Sequence, residues 1–241
     1  QLQGSSVDTT VVPDHMDRVI FSTDGSTALT FPSEFPPEED LSMVIDIGDI
    51  AFIELDRLAT TTVRTETFTD EDYLSADGSA AVLIEGQGLI FAAPGSDPVI
   101  YGLGLDGTDD GSSLIGAINQ DGSTIAAART TSSALFLIDS ETNTLDIDEL
   151  SSVPTCLFSD EQSGQLFVCY DSTLGLLTAD GISSEINLGA SHSTQVHQVG
   201  RRALLYAERD TNARSVITLE LDSLAAEVMN LGDPIREFYL S

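Results

Sequence analysis

Residues 74–84 read Leu74-Ser75-Ala76-Asp77-Gly78-Ser79-Ala80-Ala81-Val82-Leu83-Ile84: an apolar residue closing one run, a polar turn centred on glycine, then a second apolar run. Glycine takes positive φ without steric cost, so Asp-Gly between two such runs predicts a hairpin. The arrangement recurs at Phe21-Ser22-Thr23-Asp24-Gly25-Ser26, followed by Thr27 to Phe31. It recurs again at Ile118-Asn119-Gln120-Asp121-Gly122-Ser123, followed by Thr124 to Ala128.

Working outward, a second pair of strands is predicted downstream of the hairpin. One copy is Ala51 to Asp56 with Thr61 to Phe68, another Ala134 to Asp139 with Leu145 to Leu150, and the last Ser215 to Asp222 with Ala225 to Leu231. The Asp ending each third strand suits a tight connection, because its carboxylate can accept from the backbone of the turn that follows. Two less regular units stay in phase. The first has Pro154 to Tyr170 around a Ser-Asp-Glu-Gln-Ser-Gly turn, then Leu174 to Asp180 and Ser183 to Leu188. The second opens with Thr194 to Val199, a turn at Gly200, and Arg202 to Ala207.

The turn positions set the period. Asp24 to Asp77 is 53 residues, Asp77 to Asp121 is 44, Asp121 to Asp160 is 39 and Asp160 to Gly200 is 40. Four strands per 40–45 residues is the spacing of β-propeller blades. The long first interval holds an insertion, 32–49, rich in Pro and acid at Pro36-Pro37-Glu38-Glu39-Asp40. The fold class is therefore all-β, a propeller with five complete four-stranded blades and a partial sixth. It forms a single domain over 1–241 with repeats at about 14–69, 70–111, 112–152, 153–190 and 191–232. Residues 233–241 align with Arg18-Val19-Ile20-Phe21-Ser22 and read as the first strand of a further blade, with Ile235, Phe238 and Leu240 on its edge. Val7 to Val12 reads as an outer strand with no hairpin before it. Either the ends close the ring by strand exchange, or the missing strands come from a protein partner or another segment of the same precursor. An open strand edge needs a cover.

The units resemble the repeats of the surface-layer and lactonase-like (YVTN-type) propeller superfamily, which run strand, Ser-x-Asp-Gly-x, strand, strand ending in Asp, strand. The resemblance spans about residues 14–241. It implies architecture rather than activity, since such propellers include binders, scaffolds and enzymes. Its enzymatic members imply a metal held by carboxylates converging from several blades.

Charge narrows the partners. Forty acidic residues face nine basic ones, a net charge of −31, and all nine are Arg. No nucleic acid is expected as a partner and anionic lipid is a poor one, because both are bound by Lys and Arg neutralising phosphates. High salt, where screening acts within roughly 3 Å at 1 M, would remove the self-repulsion. So would Ca²⁺ bridging carboxylates on an extracellular surface; lineage-wide drift in composition is the plain alternative. No run approaches the ~20 apolar residues of a membrane span. The polar start Gln-Leu-Gln-Gly-Ser-Ser reads as a processed or trimmed terminus. The expected location is extracellular or on the cell surface, with the periplasm as a variant.

Candidate chemistry is sparse. Asp106, Asp109 and Asp110, in Asp106-Gly107-Thr108-Asp109-Asp110-Gly111, have the acid and Gly content of a calcium loop, but Ala117 stands where its twelfth-position Glu would be. Ca²⁺ is thus the one cofactor the sequence raises. Asp70-Glu71-Asp72 and Asp146-Ile147-Asp148-Glu149 are similar in character. His15, His192 and His197 fall near first strands, where an ordinary polar strand residue is the expected reading and a metal ligand or general base the functional alternative. There is no His-x-x-x-His or Cys-x-x-Cys pair, no Gly-x-Ser-x-Gly elbow and no phosphate loop. Arg201-Arg202 can bind an anionic partner or pair with nearby carboxylates. Cys156 and Cys169 flank a hairpin turn, where a disulfide and two apolar thiols are both open. A non-enzymatic interaction or assembly scaffold is the expected function. A metal-dependent, lactonase-like hydrolase or lyase with its site in the channel is the alternative, and a carbohydrate-binding module ranks last in a chain without Trp.

Overall fold

The computed structural model describes residues 10–13, 16–32, 49–65, 71–85, 88–103, 114–189, 195–206 and 215–231. Every regular element among them is a β-strand. Twenty strands form five four-stranded antiparallel sheets, each ordered as the chain runs. The chain divides into two compact units, 1–105 and 106–241.

The first unit holds two blades. One contains β1 (Arg18–Phe21), β2 (Thr27–Phe31), β3 (Asp49–Glu54) and β4 (Ala59–Arg64). The other contains β5 (Glu71–Leu74), β6 (Ala81–Glu85), β7 (Gly88–Ala92) and β8 (Val99–Gly102). The second unit holds three. Blade 3 is β9 (Leu114–Ile118), β10 (Thr124–Arg129), β11 (Ala134–Asp139) and β12 (Thr144–Glu149). Blade 4 is β13 (Pro154–Ser159), β14 (Leu166–Tyr170), β15 (Thr173–Thr178) and β16 (Gly181–Asn187). Blade 5 is β17 (Gln195–Val199), β18 (Arg202–Tyr206), β19 (Ser215–Glu220) and β20 (Ala225–Asn230).

Composition follows depth. Strands β2, β10, β11 and β14 are buried along almost their whole length, and they read as continuous apolar runs because both faces are covered. The fourth strand β12 (Thr-Leu-Asp-Ile-Asp-Glu) is largely exposed and carries Asp146, Asp148 and Glu149 along its edge, which discourages pairing with another chain. In the second unit β9, β13 and β17 lie beside one another, so first strands are innermost.

The cores lie between blades. In the first unit Leu29, Phe31, Ile50 and Phe52 of blade 1 meet Leu83 and Ile90 of blade 2. In the second, Ala126, Leu135 and Leu137 of blade 3 meet Val168, Tyr170 and Leu177 of blade 4. The opposite face of blade 4, including Phe158 stacked on Phe167 at 5.0 Å, meets Leu205, Ile217 and Leu219 of blade 5.

Some expectations needed adjusting. The outer pair of the second blade, expected within 70–111 without bounds, is β7 and β8, joined across Pro94-Gly95-Ser96. The expected strand Thr61 to Phe68 begins two residues earlier and ends at Arg64. Of the expected outer strand 7–12, Thr10 to Val12 are described and carry no strand ladder; Thr10 Oγ1 lies 2.6 Å from Thr60 Oγ1 on β4. Residues 233–241 lie outside the described residues.

Candidate functional site

The connection between the first and second strands is the most repeated piece of chemistry in the chain. In blade 1 it spans the six residues between Phe21 and Ala28, which face each other in register. Ser22 accepts from the Thr27 amide at 2.9 Å, and its hydroxyl donates to Asp24 Oδ1 at 2.7 Å. Asp24 Oδ1 also accepts from the Ser26 amide at 2.8 Å and the Ser26 hydroxyl at 2.7 Å. The bond from the Ser26 amide leads these donors in holding the Asp24 carboxyl below the ordinary range. Gly25 completes the turn at φ +71°, a value that strains any side-chain-bearing residue. Blade 2 repeats the set with Ser75, Asp77 and Ser79. Blade 3 repeats it with Asn119 in place of the first Ser.

Blade 4 departs from the pattern. Spacing alone sets Asp160 level with Asp24, but the backbone bond from Asp160 N to Gln165 O matches that from Ser22 N to Thr27 O. Asp160 therefore occupies the position of Ser22, Ser75 and Asn119. A carboxylate there has no proton to donate, and it is 1% exposed. It needs donors from elsewhere. Ser163 and the Gln162 amide supply two from its own turn. Blade 5 supplies the rest: Arg201 Nη1 donates to both carboxylate oxygens at 2.8 and 2.7 Å, and Gln198 Nε2 to Oδ1 at 2.9 Å. Burial pushes the Asp160 carboxyl up, but the bonds from Ser163, Arg201, Gln162 and Gln198 outweigh it and hold it below the ordinary range.

Arg201 can reach because blade 5 has a shorter turn. Val199 pairs directly with Arg202 across Gly200 and Arg201 alone, with Gly200 at φ +58°. The bond from Leu221 N to Arg201 O repeats those to Ser26 and Ser123 in blades 1 and 3, so Arg201 stands where those blades carry the second turn serine. Its Nε also donates to Asp222 Oδ1 at 2.8 Å, and the bonds to Asp222 and Asp160 raise its pKa. Arg202 pairs with Glu220 on the neighbouring strand. Both arginines of the doublet are thus engaged by carboxylates within the second unit.

Cys156 and Cys169 face each other in register on β13 and β14, 4.9 Å apart at Cα, and are joined in a disulfide. Both are buried in the core shared by blades 4 and 5. Asp139, at the end of a third strand, accepts from the amides of Glu141 and Thr142 at 2.9 Å, as its position suggested. His197 is exposed on β17. Among the described residues, no three His, Cys, Asp or Glu side chains gather to hold a metal ion. Asp106, Asp109 and Asp110, Ile235, Phe238 and Leu240, and His15 and His192 lie outside the described residues. No helix among the described residues is long and apolar enough to cross a membrane.

One apolar feature was not singled out from the sequence. Val19 and Phe21 alternate along β1, so both point away from the core that Ile20 joins, and they are 50% and 63% exposed. In the second unit Val199 on β17 is exposed in the same way.

No protein-family model and no curated protein matches the chain. Solved structures do. A nidogen–laminin complex matches with TM-score 0.53 and 14% identity, over 88% of this chain and 78% of the other. AztD of Citrobacter koseri matches with TM-score 0.53 and 12% identity, over 92% and 73%. The WD40 domain of SCAP from fission yeast matches with TM-score 0.54 and 13% identity, over 96% and 58%. The fold is an all-β propeller. Identities this low carry the fold and nothing further.

Proposed function

We propose that the chain is a non-enzymatic propeller scaffold that binds a protein partner, either a separate chain or another segment of its own precursor. The observation that carries this reading is the exposure of Val19 and Phe21 on β1. Large apolar side chains alternating along one strand form an anchor that a partner can bury. The nidogen match comes from a structure solved with laminin, an instance of this fold engaged with another protein. The charge of −31 favours a partner that is neutral or basic at its rim. Ile235, Phe238 and Leu240 are the chain's own candidates for a shared strand edge, and the blades are read as YVTN-type. A disulfide suits export to the cell surface or beyond, and an acidic, lysine-free surface suits high salt.

The test is affinity capture from the source organism with the chain as bait, the retained protein being identified and its binding measured with purified components. Phe21→Asp should weaken that binding by about tenfold or more while leaving the circular dichroism unchanged. Equal binding by Phe21→Asp would overturn the assignment of the surface. Calcium-dependent turnover of lactones by the purified chain would overturn the scaffold reading itself.

A further inference from the structure

The disulfide and the Asp160–Arg201 pair belong to the same boundary. Cys156 and Cys169 lie on the face of blade 4 that packs against Ala203, Leu205, Ile217, Leu219 and Leu221 of blade 5. Cys156 is 4% exposed and Cys169 1%, so blade 5 covers the bond. Among the described residues, polar links between the two blades converge on one turn: Arg201 and Gln198 on Asp160, and the Glu161 amide on Gln198 Oε1 at 3.3 Å. The inner strand of blade 5 is otherwise exposed at Gln195, His197 and Val199, whereas that of blade 4 is buried at alternate positions. Asp160 itself lies in the connection between the strands that the disulfide ties, the two cysteines standing thirteen positions apart.

We propose that the Arg201–Asp160 latch controls chemical access to the Cys156–Cys169 disulfide, making the boundary between blades 4 and 5 a redox-sensitive device. Thiol–disulfide exchange needs a thiolate in line with one sulfur, and blade 5 occupies that approach. Reduction by a dithiol then requires blade 5 to open. One thiolate attacks a cysteine sulfur to form a mixed disulfide, and the second thiol closes the reagent into its own disulfide. Two electrons and two protons leave Cys156 and Cys169 as thiols. Where closing is faster than exchange, the rate reports the population of the open state.

The experiment follows reduction by dithiothreitol under native conditions, quenched by alkylation and read by mass. The informative variant is Asp160→Ser, since Ser22 and Ser75 hold the same turn position in blades 1 and 2 and the turn keeps a residue it can fold with. Removing hydrogen bonds to a charged group should speed reduction about ten- to a hundredfold. Arg201→Gln should do the same from the other side, and Arg201→Lys should fall between wild type and Arg201→Gln because it keeps charge but loses the forked contact. Arg57→Gln, which breaks the exposed pair with Glu54 in blade 1, should leave the rate unchanged. A wild-type rate in folded Asp160→Ser and Arg201→Gln would overturn the proposal. So would equal acceleration by Arg57→Gln, which would show that the disulfide reports general loosening rather than this latch.

Discussion

Two blade boundaries in this chain solve the same problem with different chemistry. Between blades 1 and 2 each turn satisfies its own polar groups: Ser22, Asp24 and Ser26 close on one another, as do Ser75, Asp77 and Ser79. What crosses that boundary is a bond from the Ser26 hydroxyl to the Asp77 carbonyl at 3.3 Å, one backbone bond and close packing. The Asp24 amide donates to Ala76 O at 3.2 Å, and Gly78 sits so near Thr27 that a Cβ would lie 2.3 Å from the Thr27 Cβ. Between blades 4 and 5 the turn cannot satisfy itself, because Asp160 replaces the serine and blade 5 has only two residues in its connection. The deficit is met across the boundary by Arg201. A one-residue change in a repeated motif thus moves a bond from within a blade to between blades.

Filling the packed boundary should have the largest effect. Gly78→Ala meets both a positive φ of +70° and the Thr27 side chain, and should cost about 3 kcal/mol of unfolding free energy in urea. Gly25→Ala, with a φ of +71° but nothing within 4 Å, should cost about 1 kcal/mol. Equal costs would show that backbone strain, not the neighbouring blade, dominates there.

Next comes the ionic boundary. Asp160→Ser should cost about 2 kcal/mol through the lost bonds from Arg201 and Gln198, against about 1 kcal/mol for Ser75→Ala, which loses one bond to the Asp77 carboxylate and one from the Ala80 amide. A smaller loss for Asp160→Ser than for Ser75→Ala would reverse the comparison.

Acid should sharpen it further. Asp24, Asp121 and Asp160 are all held below the ordinary carboxylate range in the folded chain. The unfolded chain therefore takes up protons first as pH falls. The stability these groups contribute is fully present above their unfolded pKa of about 3.9 and is lost as pH drops through the lower folded values. Asp160→Ser should give a shallower decline of stability below pH 4 than wild type, by about one proton's share, measured as urea midpoints across that range.

Salt gives the smallest contrast. Raising salt to about 2 M should shrink the cost of Asp160→Ser by about half and that of Ser75→Ala by less, since Asp160 faces the full charge of Arg201 while Ser75 carries none.

How much of this could be read beforehand depended on how local each feature was. The Asp-Gly-Ser turns were plain because every donor and acceptor lies within six residues, and Asp77, Gly78 and Ser79 do chemistry that their order already implies. Strands β2, β10 and β14 were plain because burial on both faces leaves unbroken apolar runs. The bounds of β7 and β8 were harder to set, because Gly and Pro interrupt the apolar pattern around them. The latch was hidden for another reason: Asp160 and Arg201 stand 41 residues apart, and spacing placed Asp160 two positions out of its true register. The available signal was a carboxylate where the other units carry Ser or Asn, paired with an Arg-Arg doublet in an otherwise acidic chain. The exposure of Val19 and Phe21 was hidden too, because alternation along β1 does not say which side is covered.

The disulfide also fixes an order of events during synthesis. Cys156 and Cys169 lie within one hairpin, and their strands pair with each other and with β15, all complete by Thr178. Residues that emerge first fold first as the chain lengthens, so the bond can close while Gln195 to Asn230 have yet to be made. The fifth blade arrives afterwards and shields a linkage already formed. An oxidant therefore has its opening early, in the nascent chain, and a reductant meets the finished protein only after that opening has passed.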